Sequence, residues 1–332
     1  MKLSIISVIN SKFSDIGNFL NSIASQDNQD FELILVIQKV NDNILKQLDK
    51  LPNQLNGKTK IITNYKDLNV EYLMFCGLKI AEGDYFTFIF PNSIFRSYTT
   101  NVFIEDILKY NTDIIEYKPR LIGDVRWKPK ARITDKKIYD INKPKFIALS
   151  FPFIFNKLYK KELVSKIINI NENFSGNSKF SIELLYYLLF NATSYCYNDY
   201  RVVRESVDKD FVITPRTFKN TWINLSNYLQ HKDLKYKHEL MYANFYYSCI
   251  LTPGLLTVTT FLNRIGLNVT SNRFSKLNLE KMDKHIEKLF ENEFNNFAFK
   301  NKYMNLGLPE NEFMSKKVPM SNWKSILKKL NG

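Results

Sequence analysis

The sequence predicts an α/β fold built on a mostly parallel sheet flanked by helices, followed by a mainly helical C-terminal region. Apolar runs of strand length alternate with stretches of helical periodicity over roughly the first 210 residues. Several of these runs are continuously apolar instead of alternating, the pattern of strands buried on both faces. From about residue 216 the alternation stops and only helical periodicity continues.

The first run, Leu3-Ser4-Ile5-Ile6-Ser7-Val8-Ile9, is too short for a secretory core and is followed by no small-residue cleavage site, so it reads as a strand. Residues 15–26 place Ile16, Phe19, Leu20 and Ile23 on one helical face, and 31–37 is a second apolar strand; together they form a β-α-β unit. The pattern continues with a helix over 43–51, a strand over 60–63, a helix over 70–81 and a strand over 85–90 that follows Glu82-Gly83-Asp84. A helix over 99–110 and a strand over 113–117 come next. Residues 124–132, polar, basic and interrupted by Pro129, read as an exposed loop, with a phosphate-contacting flap as the alternative. Residues 157–168 and 181–190 read as helices separated by a turn-like stretch over 171–179. The expected division is 1–215 for the α/β domain and 216–332 for the helical region.

Composition narrows the function. With 332 residues, 45% hydrophobic and 24% charged, the chain is long enough for one sizeable core with an appendage, and disorder is not expected. The 47 Lys+Arg against 33 Asp+Glu give a net charge of +14, which favours anionic partners such as sugar nucleotides or an anionic membrane surface. Sequence-specific nucleic-acid binding is not expected, because the basic residues are scattered and no helix-turn-helix, aromatic ribonucleoprotein strand or zinc finger is present. Cys76, Cys196 and Cys249 are widely separated in apolar segments and read as free thiols of a reducing compartment. His231, His238 and His285 show no metal-ligand clustering. No run reaches the roughly 20 apolar residues of a membrane span. Residues 323–330 put Trp323, Ile326, Leu327 and Leu330 on one face with lysines between them. That pattern suits either an interfacial basic helix or a helix packed on the chain itself.

The ordered landmarks resemble family-2 glycosyltransferases of the GT-A fold. Ser4-Ile5-Ile6 through Asn10, Phe19-Leu20-Asn21-Ser22-Ile23 through Gln26, and Phe31-Glu32-Leu33-Ile34-Leu35-Val36 are similar to the family's first strand, first helix and second strand. Gly77-Leu78-Lys79-Ile80-Ala81-Glu82-Gly83-Asp84-Tyr85 resembles the approach to its metal motif. Asn156-Lys157-Leu158-Tyr159-Lys160-Lys161-Glu162-Leu163 resembles a segment of bacterial members that build capsule, glycolipid or cell-surface glycans, and Tyr200-Arg201 followed by Ser206 is a further landmark.

The resemblance implies a nucleotide-sugar donor, a divalent cation held by an Asp-x-Asp pair, and a carboxylate that deprotonates the acceptor hydroxyl. The positions that should carry these groups do not. The metal motif falls on Phe90-Pro91-Asn92, the nucleotide-contacting acids on Ile37-Gln38, and the catalytic acidic pair on Phe180-Ser181. Glu183 is the remaining candidate base, or else a first-turn carboxylate favoured by the helix dipole. The resemblance assigns Asn10, Gln38, Asp42, Asp84 and Asn92 to the donor side and Lys157, Tyr159 and Arg201 to the acceptor side, with Leu158 and Leu163 packing on the sheet. No metal ligand is expected and no divalent metal or other cofactor is required. Two readings follow: a degenerate member that binds a glycan, a glycolipid or an active transferase partner at the cytoplasmic membrane face, or a metal-independent transferase. In the second, Lys39, Lys66, Arg96 or Lys157 would neutralise the pyrophosphate.

Overall fold

The computed structural model describes residues 1–9, 16–123, 126–170, 174–176, 178–207, 215–255, 280, 283–284, 287–288, 291, 300–315, 318, 322, 325–326 and 329–331, with backbone only over 215–219. Two compact units result, one of Met1–Pro119, Thr134–Asn142 and Phe153–Glu205, the other of Arg120–Ile133, Lys143–Pro152 and Ser206–Gly332.

In chain order the elements are β1 (Leu3–Ile9), α1 (Gly17–Ala24), β2 (Phe31–Gln38), α2 (Asp42–Leu48), β3 (Thr59–Asn64), α3 (Val70–Lys79), β4 (Tyr85–Phe88), β5 (Ile94–Phe95), α4 (Thr99–Tyr110) and β6 (Ile114–Tyr117). There follow β7 (Leu121–Gly123), β8 (Ile138–Asp140), α5 (Lys145–Leu149), β9 (Lys157–Lys160), α6 (Glu162–Ile167), α7 (Ile182–Asn191), β10 (Ser194–Asn198), β11 (Val203–Val207), α8 (Pro215–His231) and α9 (Lys237–Tyr246).

The first unit is organised by an eight-stranded sheet in the order β3-β2-β1-β4-β9-β6-β10-β8. Strands β3, β2, β1 and β4 run parallel to their neighbours, as do β6 and β10. The sheet is mixed because β9 inserts antiparallel between β4 and β6, and β8 adds antiparallel to β10. Every residue of β1 and β2 is buried, as continuous apolar runs require when both faces are covered. Leu3, Ile5 and Ile9 join Phe19, Leu20 and Ile23 of α1 and Phe103 and Ile107 of α4 in one core. Ile6 belongs to the other face, under α3, where a Cβ on Gly77 would meet Ile6 Cγ2 at 2.6 Å and Val36 Cγ2 at 3.1 Å. That contact requires glycine.

Gly83 has a different reason. A Cβ there would lie 2.6 Å from the Ser4 backbone nitrogen. The close approach lets Gly83 N–H donate to Ser4 Oγ at 2.9 Å and to Glu32 Oε1 at 3.2 Å. The same Glu32 oxygen accepts from Ser4 Oγ at 2.6 Å and Glu82 N–H at 2.6 Å, while Oε2 pairs with Lys60 at 2.8 Å. Burial alone would raise the Glu32 pKa, but Lys60, Ser4 and the Glu82 N–H together hold it below the usual carboxylate value. A depressed folded pKa means that this contribution to stability is present above the unfolded carboxylate pKa and is lost as pH falls through the folded value. Glu32→Gln is therefore expected to cost about 1–3 kcal/mol near neutral pH. Urea denaturation should show the cost shrinking under acid, and a pH-independent cost would rule out the charge as its origin.

Sequence expectation and structure part at β9. Residues 157–168 are not one helix: Lys157–Lys160 is a strand, and only Glu162–Ile167 is helical. The physical reason is sheet completion, since Phe86 faces Tyr159 and Glu116 faces Lys157 across the two neighbouring ladders.

The second unit contains β7, α5, α8, α9 and a short helix at Asn311–Met314. Residues 126–132 form the expected irregular stretch, exposed at Arg126, Lys130 and Ala131 but anchored by buried side chains. Trp127 and Arg132 are buried, and Leu121 and Trp127 exchange backbone hydrogen bonds at 3.0 and 3.2 Å. Arg132 Nε pairs with Glu310 at 2.6 Å, Nη1 donates to Leu149 O at 3.1 Å, and the guanidinium lies 3.5 Å from the Tyr246 ring centroid. A phosphate-contacting role for Arg132 is thereby excluded. Lys130 N–H donates to Leu330 O at 3.1 Å, and Ile326 and Leu330 are buried. Half of the apolar face expected of residues 323–330 is thus packed within the chain; Trp323 and Leu327 lie outside the described residues. No helix among the described residues is long and apolar enough to cross a membrane.

Candidate functional site

The site is built where β4 ends. Ser93 N–H donates to Phe90 O at 2.9 Å and Phe90 N–H to Ser93 Oγ at 3.2 Å, closing a tight turn over 90–93. Strand β5 then pairs antiparallel with β11, Ile94 opposite Arg204 and Phe95 opposite Val203. That register sets Ser93 beside Glu205. Ser93 Oγ donates to Glu205 Oε2 at 2.5 Å, and Lys179 Nζ pairs with Glu205 Oε1 at 2.6 Å. The Glu205 side chain is 0% exposed and that of Lys179 17%. The Lys179 ammonium also lies 5.6 Å from the Phe90 ring centroid, within cation–π range.

Behind this ion pair is an aromatic cluster. Phe90 packs edge-on against Phe155 at 6.5 Å, Phe155 against Phe180 at 5.7 Å and Phe153 against Phe180 at 4.6 Å, while Phe153 and Phe155 stack at 5.0 Å. All four are buried. Ile154 N–H donates to Phe180 O at 2.9 Å and fastens the two segments together. Phe90 and Phe180, two of the positions at which carboxylates were expected, therefore meet in one hydrophobic cluster.

Glu183 lies in the first turn of α7 and is 1% exposed. Its Oε1 accepts from Ser175 N–H at 3.0 Å, and its own N–H donates to Glu71 Oε1 at 3.2 Å. Burial, reinforced by the neighbouring Glu183 charge, raises the Glu71 carboxyl well above its usual range.

Residues 4–168 match the profile of Glycosyl transferase family 2. Over this stretch, just under half of the chain, the sequence is similar to a family 2 glycosyltransferase domain. A solved structure of S. aureus TarS, residues 1-349, in complex with UDP matches with a TM-score of 0.60 at 18% identity, over 99% of this chain and 91% of that one. The corresponding UDP-GlcNAc complex gives 0.59 at 16% identity with the same coverage. A further TarS structure gives 0.60 at 19% identity, and there this chain spans 55% of the TarS chain. At these identities the likeness establishes the fold, an α/β GT-A-like architecture with a mixed, mainly parallel sheet. None of the curated proteins compared matches the chain.

The sequence-predicted residues have dispersed roles. Asn10 lies outside the described residues. The Gln38 amide donates to Lys66 O at 3.3 Å and Leu68 O at 2.9 Å, closing the connection from β3 to α3. Asp42 is exposed in the first turn of α2, whose N-terminus is capped by Asn41 Oδ1 accepting from Ile44 N–H at 2.9 Å. Asp84 pairs with Lys2 at 2.8 Å at the start of β4. Asn92 is half-buried on the 90–93 turn, and Arg201 is exposed just before β11.

Lys157 and Tyr159, expected to face a cleft, are interior. Lys157 Nζ pairs with Glu116 at 3.1 Å and donates to Phe153 O at 2.6 Å, and the Tyr159 hydroxyl donates to Ile154 O at 2.8 Å. Leu158 and Leu163 are buried as expected. Of the cations considered for a metal-free site, Lys39 pairs with Asp67, while Lys66 and Arg96 are exposed.

Sequence reasoning missed Glu205 and Lys179. A signal for Glu205 was present: in Val203-Arg204-Glu205-Ser206-Val207 the period of two places Glu205 on the same buried side as two valines.

The residues around the 90–93 turn do not fit a divalent metal. Phenylalanine offers no ligand atom, Asn92 offers one neutral oxygen, and both oxygens of Glu205 are engaged by Ser93 and Lys179. No group of three His, Cys, Asp or Glu side chains among the described residues could hold an ion. Magnesium and manganese require several hard oxygen ligands.

Proposed function

We propose that this chain is a degenerate family 2 glycosyltransferase. On this reading it keeps the GT-A scaffold as a binding module for a nucleotide sugar or a surface glycan or glycolipid, works with an active transferase at the cytoplasmic membrane face, and does not itself transfer sugar. The observation that supports this is the burial of Phe90 and Phe180 in one aromatic cluster, where the metal-binding and base carboxylates would stand. The TarS complexes contain UDP and UDP-GlcNAc, which favours a uridine nucleotide over other donors. The net charge of +14 suits a diphosphate or an anionic headgroup.

A second reading rests on Glu205. It is the one carboxylate at the turn among the described residues, and a transferase without metal could use it as base once its bonds to Ser93 and Lys179 open. Incubation with UDP- and GDP-sugars, with acceptor glycolipid and with either manganese or chelator, is expected to release no nucleotide. Turnover that Glu205→Gln abolishes without lowering thermal stability would replace the binding-module reading with the metal-free enzyme.

A further inference from the structure

We infer that the Lys179 ammonium stands in for the divalent cation of the family 2 site and binds the diphosphate of a nucleotide ligand. The inference builds on the nucleotide-binding part of the reading above and names the group responsible. A diphosphate buried against protein needs a compensating positive charge. Family 2 chemistry supplies it as a metal over the turn that follows β4. Here the turn presents a phenyl ring, and the charge above that ring is Lys179, 5.6 Å from its centroid.

Its position is fixed from two sides. Glu205 Oε1 holds the ammonium at 2.6 Å, and Ser93 Oγ holds the other carboxylate oxygen at 2.5 Å, so the cation is tied to the turn itself. With the side chain 17% exposed, the ammonium is accessible to a ligand in a way that the fully buried Glu205 is not. Glu205 cancels one unit of charge. Arg96, just after β5, and Arg201, just before β11, are exposed and add positive charge to this edge, whereas Arg204 lies on the opposite side of the strand from Glu205. The anion class that fits is a nucleoside diphosphate, whose phosphates accept charge-assisted hydrogen bonds from a point cation.

Calorimetry on the full chain, with UDP and with inorganic pyrophosphate as probes, tests this. Wild-type affinity is expected to be the same in manganese and in chelator. Lys179→Met should weaken both probes by about ten- to a hundredfold, the size of a lost hydrogen bond to a charged group, and Lys179→Arg should restore most of the loss. Independently of whether Lys179→Met folds, labelling of the wild-type protein with an amine-reactive reagent supplies a second measurement: UDP should protect Lys179. Binding that manganese strengthens, equal labelling with and without UDP, or no binding of either probe would overturn the inference. Glycan binding by the same preparation would still leave the binding-module reading intact, whereas sugar turnover would overturn that reading and leave the role of Lys179 in place.

Discussion

Lys157→Ala is expected to destabilise the protein by about 3–5 kcal/mol, the cost of leaving a buried charge without its partner. Lys157 and Glu116 face each other in register across β9 and β6, at 0% and 1% side-chain exposure. Glu116 also accepts from the Tyr195 hydroxyl of β10, so three strands converge on one carboxylate. Burial lowers the Lys157 pKa, and Glu116 acts against that shift. The truncation would leave Glu116 ionised inside the sheet or force it to take up a proton. The double change Lys157→Met with Glu116→Leu removes both charges and is expected to recover most of the stability. Chemical denaturation distinguishes this structural role from the acceptor-contact role that the sequence suggested. A stable Lys157→Ala protein with weakened glycan binding would favour the contact role.

The first 120 residues were legible because their strands and helices differ in local pattern. The runs at β1 and β2 are apolar on both faces, and α1 and α4 show a clear helical stripe, so periodicity alone separates them. At β9 that logic breaks down. Lys157-Leu158-Tyr159-Lys160 joins directly to a helical run, and nothing local marks the change; the strand exists because a gap between β4 and β6 accepts it. Strands β8 and β10 were hidden for the same reason, as each owes its place to a distant partner. Arg132 shows the converse error, a polar sequence read as surface although Glu310, far along the chain, makes its burial affordable. At the candidate site the sequence revealed where it departs from the resemblance, because the absence of aspartates from Phe90-Pro91-Asn92 is visible by inspection. It did not reveal the Ser93–Glu205–Lys179 contacts, since Ser93 reaches Glu205 through the β5–β11 register and Lys179 reaches it from the segment before α7.

Phe90→Asp, which restores the first acid of the family motif, is expected to cost about 5 kcal/mol or more and to create no metal site. Removing a buried phenyl ring costs about 3–5 kcal/mol, and an unpaired carboxylate in the same place adds a desolvation penalty. The environment it would enter consists of Phe155, with Phe153 and Phe180 behind it. Lys179 already pairs with Glu205, so the new carboxylate would have to share one ammonium with an existing carboxylate. Phe90→Leu, which keeps an apolar side chain against Phe155, should cost only about 1–2 kcal/mol. Thermal unfolding of both variants with and without manganese makes the comparison. If Phe90→Asp kept near-wild-type stability and manganese raised its melting temperature, a dormant metal site would lie beneath the aromatic cluster, and recent loss of one residue would explain the chain better than a rebuilt, lysine-based site. A large loss without any manganese response is the expected outcome, because a single aspartate would enter a packed aromatic cluster beside an ion pair already formed and would find no second hard ligand there.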